Sequence, residues 1–213
     1  MMNIAIYGAG GFGREVLTLV QDINRAGRKY DIMGFFDDGL PKGTVVNGLS
    51  VLGGLEELNA WPEEIAVAVA VGNPRTRKNI VEGITNGKVT FPPLIHPTVL
   101  IGDWDRVRVG EGSLLCAGNI LTTDIRIGRF VILNLACTVG HDAHFGDYAA
   151  FMPSCSVSGE VTVGECTFIG TGASIINQIT IGDNTVIGAG AVVIRDIPSD
   201  VTAVGVPAKI VKY

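Results

Sequence analysis

A large apolar residue recurs at every sixth position between Val109 and Val193, and this repeat constrains the fold more than any other feature of the chain. All fifteen positions hold Val, Leu, Ile or Phe: Val109, Leu115, Leu121, Ile127, Leu133, Val139, Phe145, Phe151, Val157, Val163, Ile169, Ile175, Ile181, Ile187 and Val193. A period of six fits neither the 3.6-residue turn of an α-helix nor the alternation of a single strand. The spacing predicts a parallel β-helix with three short strands in each coil.

Glycine adds a second period to the repeat. An apolar residue followed by glycine returns every eighteenth position, at Gly110, Gly128, Gly146, Gly164 and Gly182. Three hexads therefore form one coil, and fifteen hexads predict five coils, stacked about 4.8 Å apart. We expect the apolar residues to fill the axis and the glycines to occupy corners with positive φ. Ile101-Gly102 lies two residues out of phase and predicts an incomplete first coil.

Composition narrows the range of partners. The 213-residue chain has a formal net charge of -5 and only 17% charged residues, which does not favour binding to nucleic acid or to an anionic membrane. We find no pattern of a signal peptide or a transmembrane helix. All four cysteines fall in the repeat without CxxC spacing. Cys137 and Cys155, one coil apart, are interpreted as packing residues rather than a disulfide, which predicts a reducing, cytoplasmic location.

The segment before the repeat begins with a strand, a glycine-rich turn and a helix. Residues 3–7 are strand-like, Gly8-Ala9-Gly10-Gly11-Phe12-Gly13 follows as GxGxxG, and residues 14–26 are helix-like. Glycines at such a turn let backbone N–H groups and the helix N-terminus approach a phosphate. The motif therefore predicts a nucleotide site, and the alternative is a tight turn that binds no ligand.

Two further strands are predicted before the repeat. The first, residues 31–36, ends in Asp37-Asp38, whose carboxylates can accept hydrogen bonds from ribose hydroxyls or a base. The second, residues 65–71, leads to Gly72 and a basic helix. The αβ pattern stops near residue 93, so we predict domains at 1–93 and 94–213. Three or four strands make only half of a dinucleotide domain, which argues against an NAD-dependent enzyme.

Polar residues interrupt the repeat most sharply between Asn134 and His144. The eighteen-residue register stacks Thr123, His141, Gly159, Asn177 and Arg195 in one column. Gly159 leaves the imidazole of His141 accessible and exposes a backbone N–H beside it, so that a base and a carbonyl-polarising donor are neighbours. Asp142 can orient the ring or raise its basicity. We predict His141, Asp142 and Gly159 as the catalytic group, and the alternative is that His141 merely decorates a corner.

Two other side chains near this column offer different chemistry. His144 follows His141 by three residues, but adjacent corners of a triangular coil point apart and no third ligand type clusters nearby. We therefore predict no metal site. Cys155 lies two residues before a core position and faces packing, which argues against a nucleophile. His96 precedes Pro97 at the domain junction and is interpreted as structural.

The repeat resembles the left-handed β-helix acyltransferases, whose handedness departs from the usual crossover rule. With the N-terminal motifs, the chain is similar to the bacterial family that contains nucleotide-amino-sugar N-acetyltransferases and sialic acid O-acetyltransferases. The motifs that carry the resemblance are Tyr7 to Gly13, Phe36-Asp37-Asp38, Val71-Gly72-Asn73, His141-Asp142 and Gly205-Val206-Pro207-Ala208-Lys209. It covers nearly the whole chain. It implies an α/β Rossmann-like half domain followed by an all-β left-handed parallel β-helix.

The resemblance also implies a homotrimer, with acetyl-CoA in the groove between two prisms and a nucleotide sugar held by the N-terminal domain. In this family pattern His141 is the base, Asp142 tunes it, and the Gly159 N–H polarises the thioester oxygen. The substrate contacts that it implies are Gly10, Gly11, Phe12, Asp37, Asp38, Gly72 and Asn134. The CoA contacts are Ala150, Thr171, Ala189 and Gly190. Some relatives have histidine where this chain has Phe12 and Ala150, which is a departure from their pattern.

We therefore predict N-acetylation of a nucleotide-linked amino sugar, by direct attack on acetyl-CoA without a covalent enzyme intermediate. O-acetylation of sialic acid or another sugar hydroxyl is an alternative, because the same base serves either acceptor. A third possibility is a non-catalytic nucleotide-sugar sensor in which the β-helix is only a trimerisation scaffold.

Overall fold

The chain forms two compact units, Met1–Pro97 and Thr98–Tyr213. The computed structural model describes residues 1–27 and 29–212. The first unit ends at Pro97, whereas the sequence analysis placed the domain boundary after residue 93. Among the described helices, none combines the length and the apolar composition needed to cross a bilayer.

A six-stranded sheet with three helices forms the described part of the first unit. Its strands are β1 (Met2–Tyr7), β2 (Tyr30–Phe36), β3 (Val45–Val46), β4 (Leu49–Gly53), β5 (Ile65–Val69) and β6 (Val89–Thr90), and a short strand β7 (Leu94–Ile95) follows. The sheet order is β3-β4-β2-β1-β5-β6, parallel throughout except for the β3–β4 pair. The sequence pattern predicted three or four strands but not the shortest, because two-residue strands carry no measurable periodicity.

Helix α1 (Gly11–Ala26) packs closely against β1. Its buried residues Val16, Leu17, Val20 and Ile23 lie on one helical face. Gly13, the last glycine of GxGxxG, permits this approach, because a Cβ there would lie 1.8 Å from the Gly8 carbonyl oxygen. The other helices are α2 (Leu55–Asn59) and α3 (Pro74–Gly83).

The second unit is a parallel β-helix whose two-residue strands form three faces. Face 1 contains β10 (Leu114–Leu115), β13 (Ile132–Leu133), β16 (Ala150–Phe151), β19 (Phe168–Ile169) and β22 (Val186–Ile187), and ends in β24 (Thr202–Val204) and β25 (Lys209–Lys212). Face 2 contains β8 (Leu100–Ile101), β11 (Ile120–Leu121), β14 (Thr138–Val139), β17 (Ser156–Val157), β20 (Ser174–Ile175) and β23 (Val192–Val193). Face 3 contains β9 (Arg108–Val109), β12 (Arg126–Ile127), β15 (His144–Phe145), β18 (Thr162–Val163) and β21 (Thr180–Ile181).

The register of the faces confirms the predicted coil of eighteen residues. Thr138 pairs with Ser156 and Arg126 pairs with His144, in each case across two parallel strands eighteen residues apart. Fourteen of the fifteen apolar repeat residues are buried, and Val109 is half-buried. Strand β8 pairs with β11 at a separation of twenty residues, from Leu100 to Ile120, which is the predicted two-residue offset.

The glycines of the eighteen-residue period do not occupy the corners with positive φ, so this prediction is wrong. Positive φ occurs three residues after the core positions, where several side chains are accommodated, including Phe130 (φ 53°) and Tyr148 (φ 60°). The glycines instead lie against the next coil. A Cβ on Gly146 would be 2.6 Å from the backbone nitrogen of Glu165. The spacing of the coils, rather than backbone conformation, therefore excludes a side chain there.

The cysteines contribute small thiols to the interior of the β-helix. All four are buried and free of disulfide bonds. The Cys137 thiol donates to the carbonyl oxygen of Met152, and the Cys155 thiol donates to that of Gly170, each at 3.3 Å. Their role as packing residues is consistent with these contacts to the main chain.

We expect Gly146→Ala to destabilise the β-helix by at least about 3 kcal/mol, the upper end for overpacking a filled core, because backbone of the next coil blocks the added methyl group. Gly118→Ala is the matched control. Gly118 has a φ of 76° and its Cβ would meet only ordinary contacts at 3.7–3.8 Å, so its cost is about 1 kcal/mol. Thermal unfolding measures the difference, and equal losses in melting temperature would contradict it.

Candidate active site

His141 and Asp142 lie at the corner between faces 2 and 3, in the turn that joins β14 to β15. The Nδ1 atom of His141 is 2.8 Å from Oδ2 of Asp142. Both side chains are more than half exposed, at 57% and 58%. A carboxylate at Nδ1 holds the imidazole proton on that nitrogen, which leaves Nε2 as the acceptor. The pair can therefore take a proton from a ligand at the surface of the corner.

Gly159 lies against the His141 ring, as the eighteen-residue register predicted. A Cβ on Gly159 would be 2.6 Å from both Cε1 and Nε2 of the imidazole. The N–H of Gly159 donates no backbone hydrogen bond within the described chain, because the neighbouring ladder bonds come from Ser158 and Glu160. An unused N–H beside a base is suited to polarise a carbonyl oxygen that binds between them.

The carboxylates one coil to either side of Asp142 have other partners. Asp124 accepts a hydrogen bond from Nη1 of Arg106 at 2.8 Å, and this bond lowers the pKa of the Asp124 carboxyl. Glu160 accepts a hydrogen bond from Nε2 of Gln178 at 3.1 Å. Asp142 is therefore the carboxylate of this column that contacts His141.

In the first unit, the glycine turn and the two aspartates meet at the carboxyl ends of β1 and β2. The N–H of Ala9 donates to Oδ2 of Asp37 at 2.8 Å. Asp38 accepts hydrogen bonds from the Tyr7 hydroxyl and from the N–H of Leu55. Burial, together with Asp38, raises the pKa of Tyr7. Asp37 therefore holds the glycine turn, Asp38 links the end of β1 to the start of α2, and both line a cleft of about 300 Å³.

The glycines at the turn between β1 and α1 leave the backbone N–H groups uncovered by side chains. Gly10 is the N-cap of α1, and no side chain caps this helix end. Gly11 begins the helix and is exposed, whereas Phe12 is half-buried. The first N–H groups of α1 are therefore available for an anion.

Arg77 is a candidate positioning residue that the sequence analysis did not single out. It is 1% exposed, and its Nη1 donates to the carbonyl oxygens of Val71 at 2.6 Å and Gly72 at 3.1 Å. These bonds hold the turn that contains Gly72. A Cβ added to Gly72 would have no atom within 4 Å, so there is open space beside this glycine. The available signal was an arginine one turn into a helix that begins directly after the strand-ending Gly72-Asn73 turn.

Several predicted contacts lie at another corner, between faces 1 and 2. Thr171, Ala189 and Gly190 are exposed there, and the N–H of Gly190 donates to the Thr171 carbonyl at 2.8 Å. Asn134 is 7% exposed, and its Oδ1 accepts the N–H of Leu135 at 2.7 Å. This corner and the His141 corner are the two ends of face 2. Within one chain, the structure does not bring these residues to His141.

Two further residues fall outside the expected site. Ala150 is 0% exposed, because both residues of β16 are buried on face 1, so it offers no surface for the predicted CoA contact. His144 is exposed on face 3, in register with Arg126 and Thr162. Within the described residues, no group of three His, Cys, Asp or Glu side chains is arranged to hold a metal ion.

Comparisons with known proteins cover both units. Residues 3–84 match the PglD N-terminal domain family, and residues 160–195 match the bacterial transferase hexapeptide family. The GDP-perosamine N-acetyltransferase of Escherichia coli O157:H7 is 33% identical over 144 residues, which are 66% of this chain and 63% of that protein. The chain thus aligns with less than two thirds of that relative's length.

Solved structures resemble the chain along almost its whole length. The acetyltransferase domain of PglB from Neisseria gonorrhoeae FA1090, in complex with acetyl coenzyme A, is 35% identical with a TM-score of 0.88 and covers 98% of each chain. PerB from Caulobacter crescentus, in complex with CoA and GDP-perosamine, is 31% identical with a TM-score of 0.85 and covers 99% of this chain and 97% of that one.

We expect Gly159→Ala to displace the His141 ring, because the new methyl group would stand 2.6 Å from Nε2. The imidazole is exposed and can rotate, so the substitution should break its contact with Asp142 while thermal stability changes little. A crystal structure of the variant measures the displacement. Ser158→Ala, in the neighbouring exposed position, is the control and should leave the ring in place. An unmoved ring in Gly159→Ala would contradict the close packing.

Proposed function

The chain belongs to the bacterial hexapeptide-repeat sugar acetyltransferases with a PglD N-terminal domain, and on this premise we propose that it acetylates the amino group of a nucleotide-linked amino sugar with acetyl-CoA. The observation that carries the proposal is the unused N–H of Gly159 beside the His141 ring. Base and oxyanion donor are the two groups that acyl transfer to an amine requires. The similar proteins act on, or bind, amino sugars and CoA.

In the proposed reaction, the amine attacks the thioester carbon while Nε2 of His141 accepts the amine proton. Asp142 holds the other ring proton and stabilises the imidazolium that forms. The oxygen of the tetrahedral intermediate accepts a hydrogen bond from the Gly159 N–H. The carbon–sulfur bond then breaks, and the CoA thiolate takes the proton from His141. Acetyl passes directly to the acceptor, and no covalent enzyme intermediate forms.

We assign the nucleotide sugar to the first unit. The uncapped start of α1 at Gly10 and Gly11 offers N–H groups to a phosphate. Asp37 and Asp38 line the adjacent cleft and can accept hydrogen bonds from the nucleoside. Phe12 and Gly72 complete the proposed contacts, with Arg77 as the residue that positions Gly72.

We further propose that a homotrimer assembles the CoA site. Because Thr171, Ala189 and Gly190 lie at the opposite end of face 2 from His141, a single chain does not present them to its own base. A second copy can place this corner against the His141 corner of the first, and closed three-fold symmetry repeats the groove three times. Asn134 lies on the same corner and would help to orient the acceptor.

An amine is favoured over a hydroxyl as the acceptor because the similar proteins named above are amino-sugar N-acetyltransferases or bind such a sugar. The buried free thiols suit a reducing compartment, and we propose the cytoplasm as the site of the reaction.

His141→Ala should lower turnover by about 10²–10⁴-fold, the usual contribution of a general base. Acetyl-CoA binding should survive, because the side chain acts on the acceptor. Thiol release with a chromogenic reagent measures turnover, and calorimetry measures acetyl-CoA binding. Unchanged turnover in His141→Ala would refute the assignment.

A panel of UDP-, GDP- and dTDP-linked amino sugars, each beside its hydroxyl analogue, tests the acceptor. We expect thiol release with at least one amino sugar and none with its hydroxyl analogue, since the amine is the stronger nucleophile. Release only with hydroxyl acceptors would favour O-acetylation. Thermal stabilisation by a nucleotide sugar but not by CoA, without thiol release, would favour a non-catalytic sensor.

A further inference from the structure

Face 3 carries a column of basic side chains that the proposed chemistry does not use. Arg108, Arg126 and His144 are the outward residues of β9, β12 and β15, and parallel pairing places them in register on successive coils. All three are exposed. They line a cleft of about 510 Å³ that also includes Asp142, the partner of His141. The cleft lined by this column therefore lies beside the proposed base.

Most other charges in this cleft are already neutralised. Arg106 pairs with Asp124 at 2.8 Å, and Asp142 pairs with His141 at 2.8 Å. What remains is the pair of guanidinium groups of Arg108 and Arg126, opposed by Asp105 alone.

Neither guanidinium group of this column has an acidic partner in the described part of the chain. Arg108 donates to the carbonyl of the preceding residue, Val107, at a long 3.4 Å. The backbone N–H of Arg126 donates to the Ala143 carbonyl at 2.9 Å, but its guanidinium group forms no hydrogen bond or ion pair with any described residue. Two free guanidinium groups one coil apart are suited to an anion with several oxygens, because each presents a planar fork of donors.

The position of the column relative to Gly159 indicates which reactant carries that anion. Gly159 lies one coil to the C-terminal side of His141, so the thioester approaches the base from that side. The acceptor must approach from the N-terminal side, which is where Arg126 and Arg108 lie. Coils are about 4.8 Å apart, so these residues lie roughly 5 and 10 Å along the axis from the coil of His141. A sugar ring that separates an amine from an anomeric diphosphate spans a comparable length.

We propose that Arg126 and Arg108 bind the sugar-linked phosphate of the nucleotide sugar and so set the distance between its amine and His141. The proposal rests on the proposed function and specifies how the acceptor is held. His144, the next member of the column, offers one further N–H to the same anion.

Steady-state kinetics of Arg126→Gln and Arg108→Gln test the site. Each variant should raise the KM for the nucleotide sugar about tenfold, equivalent to about 1.4 kcal/mol, and leave the KM for acetyl-CoA unchanged. Arg126→Lys should recover part of the loss, because it keeps the charge but not the fork. Arg129→Gln is the matched control. Arg129 is exposed on the same coil but pairs with Glu111 away from this cleft, and its removal should change neither KM.

Binding measurements separate this proposal from the proposed function. Calorimetry with nucleoside diphosphates and monophosphates, using UDP, GDP and dTDP and their monophosphates, should show a preference for a diphosphate in the wild type. Arg126→Gln should reduce this preference about tenfold. No preference in the wild type, or an equal preference in the variant, would overturn the phosphate site. If the preference depends on Arg126 but no amino sugar is acetylated, the phosphate site stands and the proposed function fails.

Two other outcomes would also reject the proposal. A rise in the KM for acetyl-CoA with an unchanged KM for the nucleotide sugar would assign the column to the phosphates of CoA. Dephospho-CoA then identifies which phosphate is involved. A change of oligomeric state in Arg126→Gln, measured by light scattering, would assign the column to a contact between subunits.

Discussion

Backbone hydrogen bonds between successive coils fix each residue of the second unit against the residue eighteen positions away. The N–H of Gly140 donates to the Val157 carbonyl at 2.8 Å, and the N–H of Glu160 donates to the His141 carbonyl at 2.8 Å. These bonds hold Gly159 so close to His141 that a Cβ would stand 2.6 Å from the ring. The proposed base and the backbone N–H of Gly159 are neighbours because these hydrogen bonds fix the register between the coils.

The same backbone ladder also aligns charged side chains along the corner between faces 2 and 3. Stacking places carboxylates on three successive coils at Asp124, Asp142 and Glu160, an arrangement that repulsion would disfavour if all three lacked partners. Arg106 and Gln178 engage the outer two, and His141 engages the middle one. Pairing along the column thus leaves one histidine–aspartate pair at the surface. On face 3, Arg108 and Arg126 have no acidic partner among the described residues.

Within one chain, the triangular cross-section separates the predicted base from the predicted CoA contacts. His141 stands at one end of face 2, and Thr171, Ala189 and Gly190 stand at the other. The interior of the β-helix is filled by side chains, so these two corners of one chain stay apart. A site that uses both corners therefore requires a second copy of the chain. In the first unit, the start of α1 has no side-chain cap, and the buried Arg77 holds the turn at Gly72.

The sequence by itself determined the β-helix, its coil of eighteen residues and the contact between His141 and Gly159, because all three follow from a period that the backbone ladder preserves. It also predicted the strand–glycine–helix order of the first unit, although not its shortest strands. Only the tertiary structure decided that the corners accommodate Phe130 and Tyr148, that Ala150 is covered and that Arg77 is buried. These outcomes depend on packing between residues distant in sequence, which no local pattern records.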